Sequence, residues 1–315
     1  LRIVEEKDAN LREKAVKEVA TSIYLFHGQF LSAGLARLSN KNAQAEYYLT
    51  DLVSQASRTK KTIEVLKWPD IEDLRGVNDP YELGLAQQLL NTRVVRALAR
   101  SGVFFRDLSS VWVDSSAVIG VGVSVGPGTW IRGKSVIGAG SSIGAHVVLN
   151  DAIIAENVEL KHGTVIESSR VEKGAMIGPY AHLRPESEVG PGAKIGNFVE
   201  LKKTRIGKET SVAHLSYLGD AQVGAKVNIG CGFVTCNFDG RVIEGSRKHE
   251  TIIEDGVFMG SDCQVLAPIR IGKGAYVASG STLTEDVPAE SLAIARSRQV
   301  IKPGYAKKLR QTEKG

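Results

Sequence analysis

No apolar run in the chain approaches the roughly 18 residues that a membrane-spanning helix needs, so no membrane partner is expected. Cysteine is scarce. Cys231, Cys236 and Cys263 form an odd set without a C-x-x-C pair, which argues against a disulfide framework and against a zinc site. A reducing compartment, the cytoplasm, suits that composition. Aromatic residues make up only 6% of the chain and no nucleic-acid-binding motif accompanies them, so nucleic acid is not an expected partner. The opening residues lack a signal-peptide pattern. No large excess of charge of either sign is present: the formal net charge is +5, which fits a solvated surface or a preference for phosphorylated ligands. The first residue is Leu1 rather than Met, and strand-like Arg2-Ile3-Val4-Glu5 follows at once. Such a start is expected of a piece of a longer protein.

What the sequence does have is a period of six. Val113, Ile119, Val125, Ile131, Ile137, Ile143 and Leu149 follow one another at that spacing. The phase slips by one before Ile154, resumes at Leu160 and Ile166, slips again before Val171, and then runs through Ile177, Leu183, Val189, Ile195 and Leu201. Further slips precede Ile206 and Val223, and after a break near 238–250 the period returns from Ile253 to Leu283. Six is neither the 3.6 of a helix nor the 2 of a simple strand. It is the hexapeptide signal of a parallel β-helix, three hexapeptides making one triangular coil of about 18 residues. The aliphatic residue is expected to point inward, and the small residue after it to allow a tight corner.

Residues 1–103 lack this period. Ser22–Phe26 and Thr62–Leu66 read as strands, and Tyr81–Ala99 as a helix that links two domains, so the stretch is expected to be part of an α/β sheet domain. The β-helix is expected over 104–297 and a basic tail over 298–315. Within the β-helix, 113–171 reads as structural. From His182 onward the hexapeptides carry unusual polar groups. Arg184, Lys202, His214 and Tyr217 fall about one coil apart, so stacking would bring them together. An unperturbed histidine titrates near ~6.5 and accepts protons at neutral pH, which suits His214 to taking a proton from an amine that attacks a thioester. Arg184, Lys202 and Lys248 are the cations that would hold a phosphate. Flat-faced prisms assemble side by side into closed rings, so a homotrimer with sites in its clefts is expected.

Five segments are distinctive: the R-P of Arg184-Pro185; N-F-V-E-L-K-K at 197–203; H-L-S-Y-L-G-D at 214–220; N-I-G-C-G at 228–232; and T-C-N-F-D-G at 235–240. On these segments the whole chain resembles the bacterial family of bifunctional N-acetylglucosamine-1-phosphate uridyltransferases / glucosamine-1-phosphate acetyltransferases. The resemblance implies a left-handed coil and an activity, acetyl transfer from acetyl-CoA to the amine of glucosamine-1-phosphate, in the synthesis of UDP-N-acetylglucosamine. It implies His214 as general base with support from Glu200. Arg184, Lys202 and Lys248 would hold the phosphate, with Tyr217 and Asn228 on the sugar. Asn237, Phe238, Ser261, Ser279 and Arg296 would line the acetyl-CoA path, with backbone N–H groups near Cys231 facing the oxyanion.

In residues 1–103 the resemblance implies Glu5 as a sugar contact and Asn78 as a magnesium ligand of the uridyltransferase half, which takes UTP and Mg2+. The family's Gly-rich nucleotide loop and second magnesium ligand are not in this sequence, so uridyl transfer is expected of a longer parent. The departures are Cys231 for alanine, Phe238 for tyrosine, Ala20 for asparagine, Ala45 for glycine, Glu250 for lysine, and a longer loop over 241–247. Alternative readings are another sugar acyltransferase, a non-catalytic hexapeptide scaffold, and a metal-dependent carbonic anhydrase drawing on His146, His162, His182 or His214.

Overall fold

Every aliphatic residue picked out by the period of six, from Val113 to Leu283, is buried, none more than 8% exposed. Each such side chain contributes about 1.5–3 kcal/mol on leaving water, and stacking shares that gain between neighbouring coils. The computed structural model describes residues 1–240, 242, 245 and 247–312. It divides into two units, Leu1–Ala86 and Gln87–Gly315.

The second unit is a left-handed parallel β-helix. Its strands are short, most of them two or three residues, and the pairing is parallel throughout. One coil advances 18 residues where Trp112 pairs with Trp130 and Val118 with Val136. It advances 17 where Val136 pairs with Ile153 and Val165 with His182. The phase slips in the sequence are these shorter coils. Eleven strands stack on one face. The other two faces merge into one 17-stranded sheet, joined by two long strands, Glu200–Ile206 and Tyr217–Val223. Those strands pass through their shared corner at Lys203 and Asp220, both at φ 49.

The small residue after each aliphatic one has a different cause from the corner expected of it. A Cβ on Gly196 would lie 1.7 Å from the carbonyl oxygen of Ala213 in the next coil, so that position is small because two coils approach closely. The corner itself turns a little later, at residues with positive φ that include Tyr180, Phe198 and Leu215.

The helix Pro80–Arg100 crosses the unit boundary, so the division falls inside the helix rather than after it at 103. Its second half belongs with the β-helix. Val95 is 1% exposed within the β-helix core. The buried Asn91 donates from Nδ2 to the Val111 carbonyl (2.8 Å) and accepts from the Val113 N–H (2.9 Å). That side chain closes backbone groups at the first coils. Nearby, Trp112 and Trp130 stack at 5.6 Å with 16° between their planes, and Arg132 lies 4.5 Å over the Trp130 ring.

The first unit is helical, with Gly28–Leu35 and Asp51–Arg58 as its longer helices before residue 80. They pack closely, because a Cβ on Gly34 would lie 2.6 Å from Leu52 Cδ2. Ser22–Phe26 and Thr62–Leu66 join no ladder among the described residues. This corrects the expectation of strands: β-branched and aromatic composition favours a strand only when a neighbouring strand takes its hydrogen bonds. Ala45 sits at φ 55, a conformation that suits glycine better. In the basic tail Tyr305–Thr312 forms a helix.

Candidate functional site

The polar residues that the sequence singled out fall into columns set by the coil register. His182 pairs with Glu200, Glu200 with Tyr217, and Tyr217 with Val234. Two residues further along the same strands, Lys202 pairs with Gly219. Arg184 stands beneath Lys202, since Leu183 pairs with Leu201 and the Arg184 N–H donates to the Leu201 carbonyl. Arg184, Lys202, Glu200 and Tyr217 therefore share one outward face.

Arg184 Nη1 donates to Glu200 Oε1 at 2.9 Å. Glu200 holds the guanidinium above its ordinary pKa through this bond, with Tyr217 and Glu167 adding charge and burial opposing. One coil below, His182 Nε2 is 3.0 Å from Glu167 Oε2. Burial pushes the Tyr217 phenol up, Glu200 and Asp220 add to this, and a hydrogen bond with the Asn237 side chain opposes it. The buried Asn237 also donates through Nδ2 to Asp220 Oδ2. Gly219 makes that meeting possible: a Cβ there would lie 2.3 Å from Tyr217 Oη and 2.7 Å from Asn237 Nδ2.

His214 lies at the corner before this face, paired in register with Asn197. Its Nδ1 is 2.8 Å from Asn197 Oδ1. An amide oxygen only accepts, so Nδ1 carries the proton, and in the neutral ring the lone pair is then on Nε2. Glu200 is held by Arg184 and makes no hydrogen bond to His214 among the described residues. Asn197 had no assigned role in the sequence reading; its signal was the 17-residue coil spacing to His214.

The corner continues upward. Gly232 N–H donates to Leu215 O (3.0 Å), Asp262 N–H to Cys231 O (2.6 Å) and Gly280 N–H to Ser261 O (2.8 Å). His214, Cys231, Ser261 and Ser279 thus occupy successive coils of one corner. The Ser261 N–H donates to Ser279 Oγ at 3.2 Å. Arg296 lies nearby, its Cδ 3.9 Å from where a Gly280 Cβ would stand.

Other expected residues are placed apart. Asn228 pairs with Ser211 and Phe258 on the eleven-stranded face, not on the face of Arg184 and Tyr217. In the excursion after Cys236, Lys248 Nζ sits 4.5 Å over the Phe238 ring. The His249 N–H donates to the Asn237 carbonyl (3.0 Å), and its buried ring is 3.4 Å from Asp239 Oδ1. Residues 241, 243, 244 and 246 of the expected longer loop lie outside the described residues. Glu5 Oε1 accepts from Thr50 Oγ1 at 3.0 Å, and Asn78 Nδ2 donates to Glu82 Oε2 at 3.0 Å, both in the first unit. Among the described residues no three His, Cys, Asp or Glu side chains are grouped to hold a metal ion. The residues present do not make up a magnesium site around Asn78.

Two family descriptions match parts of the β-helix: bacterial transferase hexapeptide (six repeats) at residues 168–203, and hexapeptide repeat of succinyl-transferase at 250–285. Bifunctional protein GlmU of Trichlorobacter lovleyi is 44% identical over 98% of this chain and 66% of its own length. The protein of the same name from Carboxydothermus hydrogenoformans is 45% identical over 98% of this chain and 68% of its own. The chain thus spans about two thirds of the length of these curated relatives. LpxA from Acinetobacter baumannii superposes with a TM-score of 0.45 at 17% identity, over 66% of this chain and 77% of that one.

Proposed function

The chain belongs to the family of the bifunctional GlmU proteins, and on that premise we propose that its β-helix transfers the acetyl group of acetyl-CoA to the amine of glucosamine-1-phosphate. The observation that carries the reading is the His214–Asn197 pair at the edge of a face bearing Arg184, Lys202, Glu200 and Tyr217. The sugar amine attacks the thioester carbonyl carbon, and His214 Nε2 takes the proton that the nitrogen sheds. Asn197 keeps Nδ1 protonated and the ring turned. The tetrahedral oxyanion is stabilised by backbone N–H groups near Cys231. Its collapse breaks the C–S bond, and the CoA thiolate leaves and recovers the proton. Arg184 and Lys202 hold the phosphate, with Lys248 reaching it from the excursion; Tyr217 and Asn228 contact the sugar. Asn237, Phe238, Ser261, Ser279 and Arg296 take the CoA side.

The site is placed between subunits of a homotrimer as part of the same proposal. Asn228 stands on a different face from Arg184, which supports a site shared between neighbours. No described helix is long and apolar enough to cross a membrane; a cytoplasmic setting belongs to the proposal. Uridyl transfer from UTP is not proposed for these 315 residues, because the Gly-rich nucleotide loop and the second magnesium ligand that the resemblance calls for are not in the sequence.

A thiol-release assay tests the proposal. Free CoA is expected with acetyl-CoA and glucosamine-1-phosphate, and not with glucosamine-6-phosphate. His214→Ala is expected to lower the rate by about 10²-fold or more with CoA binding retained. Equal release with both sugars, or near-normal turnover in the variant, would overturn the assignment.

A further inference from the structure

We propose that the Arg184–Glu200 ion pair is an internal stand-in for the substrate: on binding, the ligand's phosphate takes Arg184 and its ammonium takes Glu200. The ammonium half rests on the function proposed above, and the phosphate half stands without it.

The pair is well formed at 2.9 Å, yet its side chains are 40% and 39% exposed, so an anion from solvent can reach the guanidinium. Exposed pairs of this kind are weak, and opening one costs no more than about fivefold in affinity. Directly above Arg184 stands Lys202, which makes no ion pair among the described residues. A phosphate monoester carries a charge of about −1.5 to −2 at pH 7, and a guanidinium binds its oxygens in bidentate fashion. One dianion therefore matches Arg184 and Lys202 together, and a carboxylate left in place would repel it. Glu200 shares a column with Tyr217 and lies three residues beyond Asn197, which holds His214. An aminosugar phosphate brings the cation that replaces Arg184 as the partner of Glu200. The substrate thus exchanges one internal pair for two of its own, while a ligand with only phosphate or only amine completes half of the exchange. The same step delivers the ammonium to the side of the face where His214 accepts its proton.

The test is titration calorimetry at low ionic strength with inorganic phosphate and, separately, with glucosamine-1-phosphate. Glu200→Gln is expected to bind inorganic phosphate about two- to fivefold tighter than the parent, and that gain is expected to vanish in an Arg184→Gln background. Glucosamine-1-phosphate is expected to bind Glu200→Gln more weakly than the parent, so the two ligands respond with opposite sign. Unchanged or weaker phosphate binding in Glu200→Gln overturns the exchange. So does an equal gain in the Arg184→Gln background, which would mark a mere loss of nearby negative charge. If the phosphate arm behaves as expected while glucosamine-1-phosphate neither binds nor is acetylated, the ammonium half falls together with the proposed substrate, and the anion exchange stands.

Discussion

At the scale of single residues, the site is built as much by what is missing as by what is present. Gly219 occupies the rung above Lys202, and its bare Cα leaves the space in which Tyr217 and Asn237 meet. Gly219→Ala is expected to push the phenol and the amide apart and lower acetyl transfer by roughly 10- to 10²-fold, as misplacements near 1 Å do. Overpacking would cost about 1–3 kcal/mol of stability. Steady-state rates beside a thermal melt check this, and unchanged turnover would remove Tyr217–Asn237 contact from the working site. The residue types here were legible in the sequence; their partners were not. Arg184 reads as a free cation in a linear string, but its partner Glu200 sits one coil on, and which of several nearby charges pairs is decided by side-chain packing. Asn197 was hidden for the same reason, since its tie to His214 exists only once the 17-residue coil stacks them.

Among elements, every aliphatic residue on the period of six is buried, because an apolar side chain gains most from an inward position, while buried hydroxyls such as that of Thr235 are kept there by hydrogen bonds to the backbone. The corners were less legible. Glycine fills many positive-φ positions, but Tyr180, Phe198 and Leu215 turn the same corner that carries His214, and no pattern of small residues marks them. The strands expected before residue 80 failed because a strand is a relation between two segments, which composition cannot certify. The helix Pro80–Arg100 was legible in extent, though its attachment was not. Asn91 is the element's fastening, and Asn91→Ala would leave the Val111 carbonyl and the Val113 N–H without that partner. A loss of about 1–3 kcal/mol is expected for an unpaired buried group. Chemical denaturation measures it, and an unchanged midpoint would mean that the helix's apolar contacts, Val95 among them, carry the attachment alone.

For the whole molecule, each coil of the β-helix rests on its neighbours, so stability accumulates along the stack and the first and last coils are where opening begins. The 17- and 18-residue coils keep their aliphatic positions in line despite differing lengths, which explains why the slips in the sequence leave the core unbroken. The stacked Trp112 and Trp130 stand at the base of this column, and the only other tryptophan, Trp68, belongs to the first unit. Two stacked indoles 5.6 Å apart share their electronic excitation, and a twist between their transition directions gives a paired positive and negative band in circular dichroism. That couplet is a built-in optical gauge of the lowest coils. During heating it is expected to fade before the bulk β signal does, and Trp112→Phe is expected to abolish it while leaving the β signal in place. Simultaneous loss of both signals would show that the base opens only together with the rest of the stack.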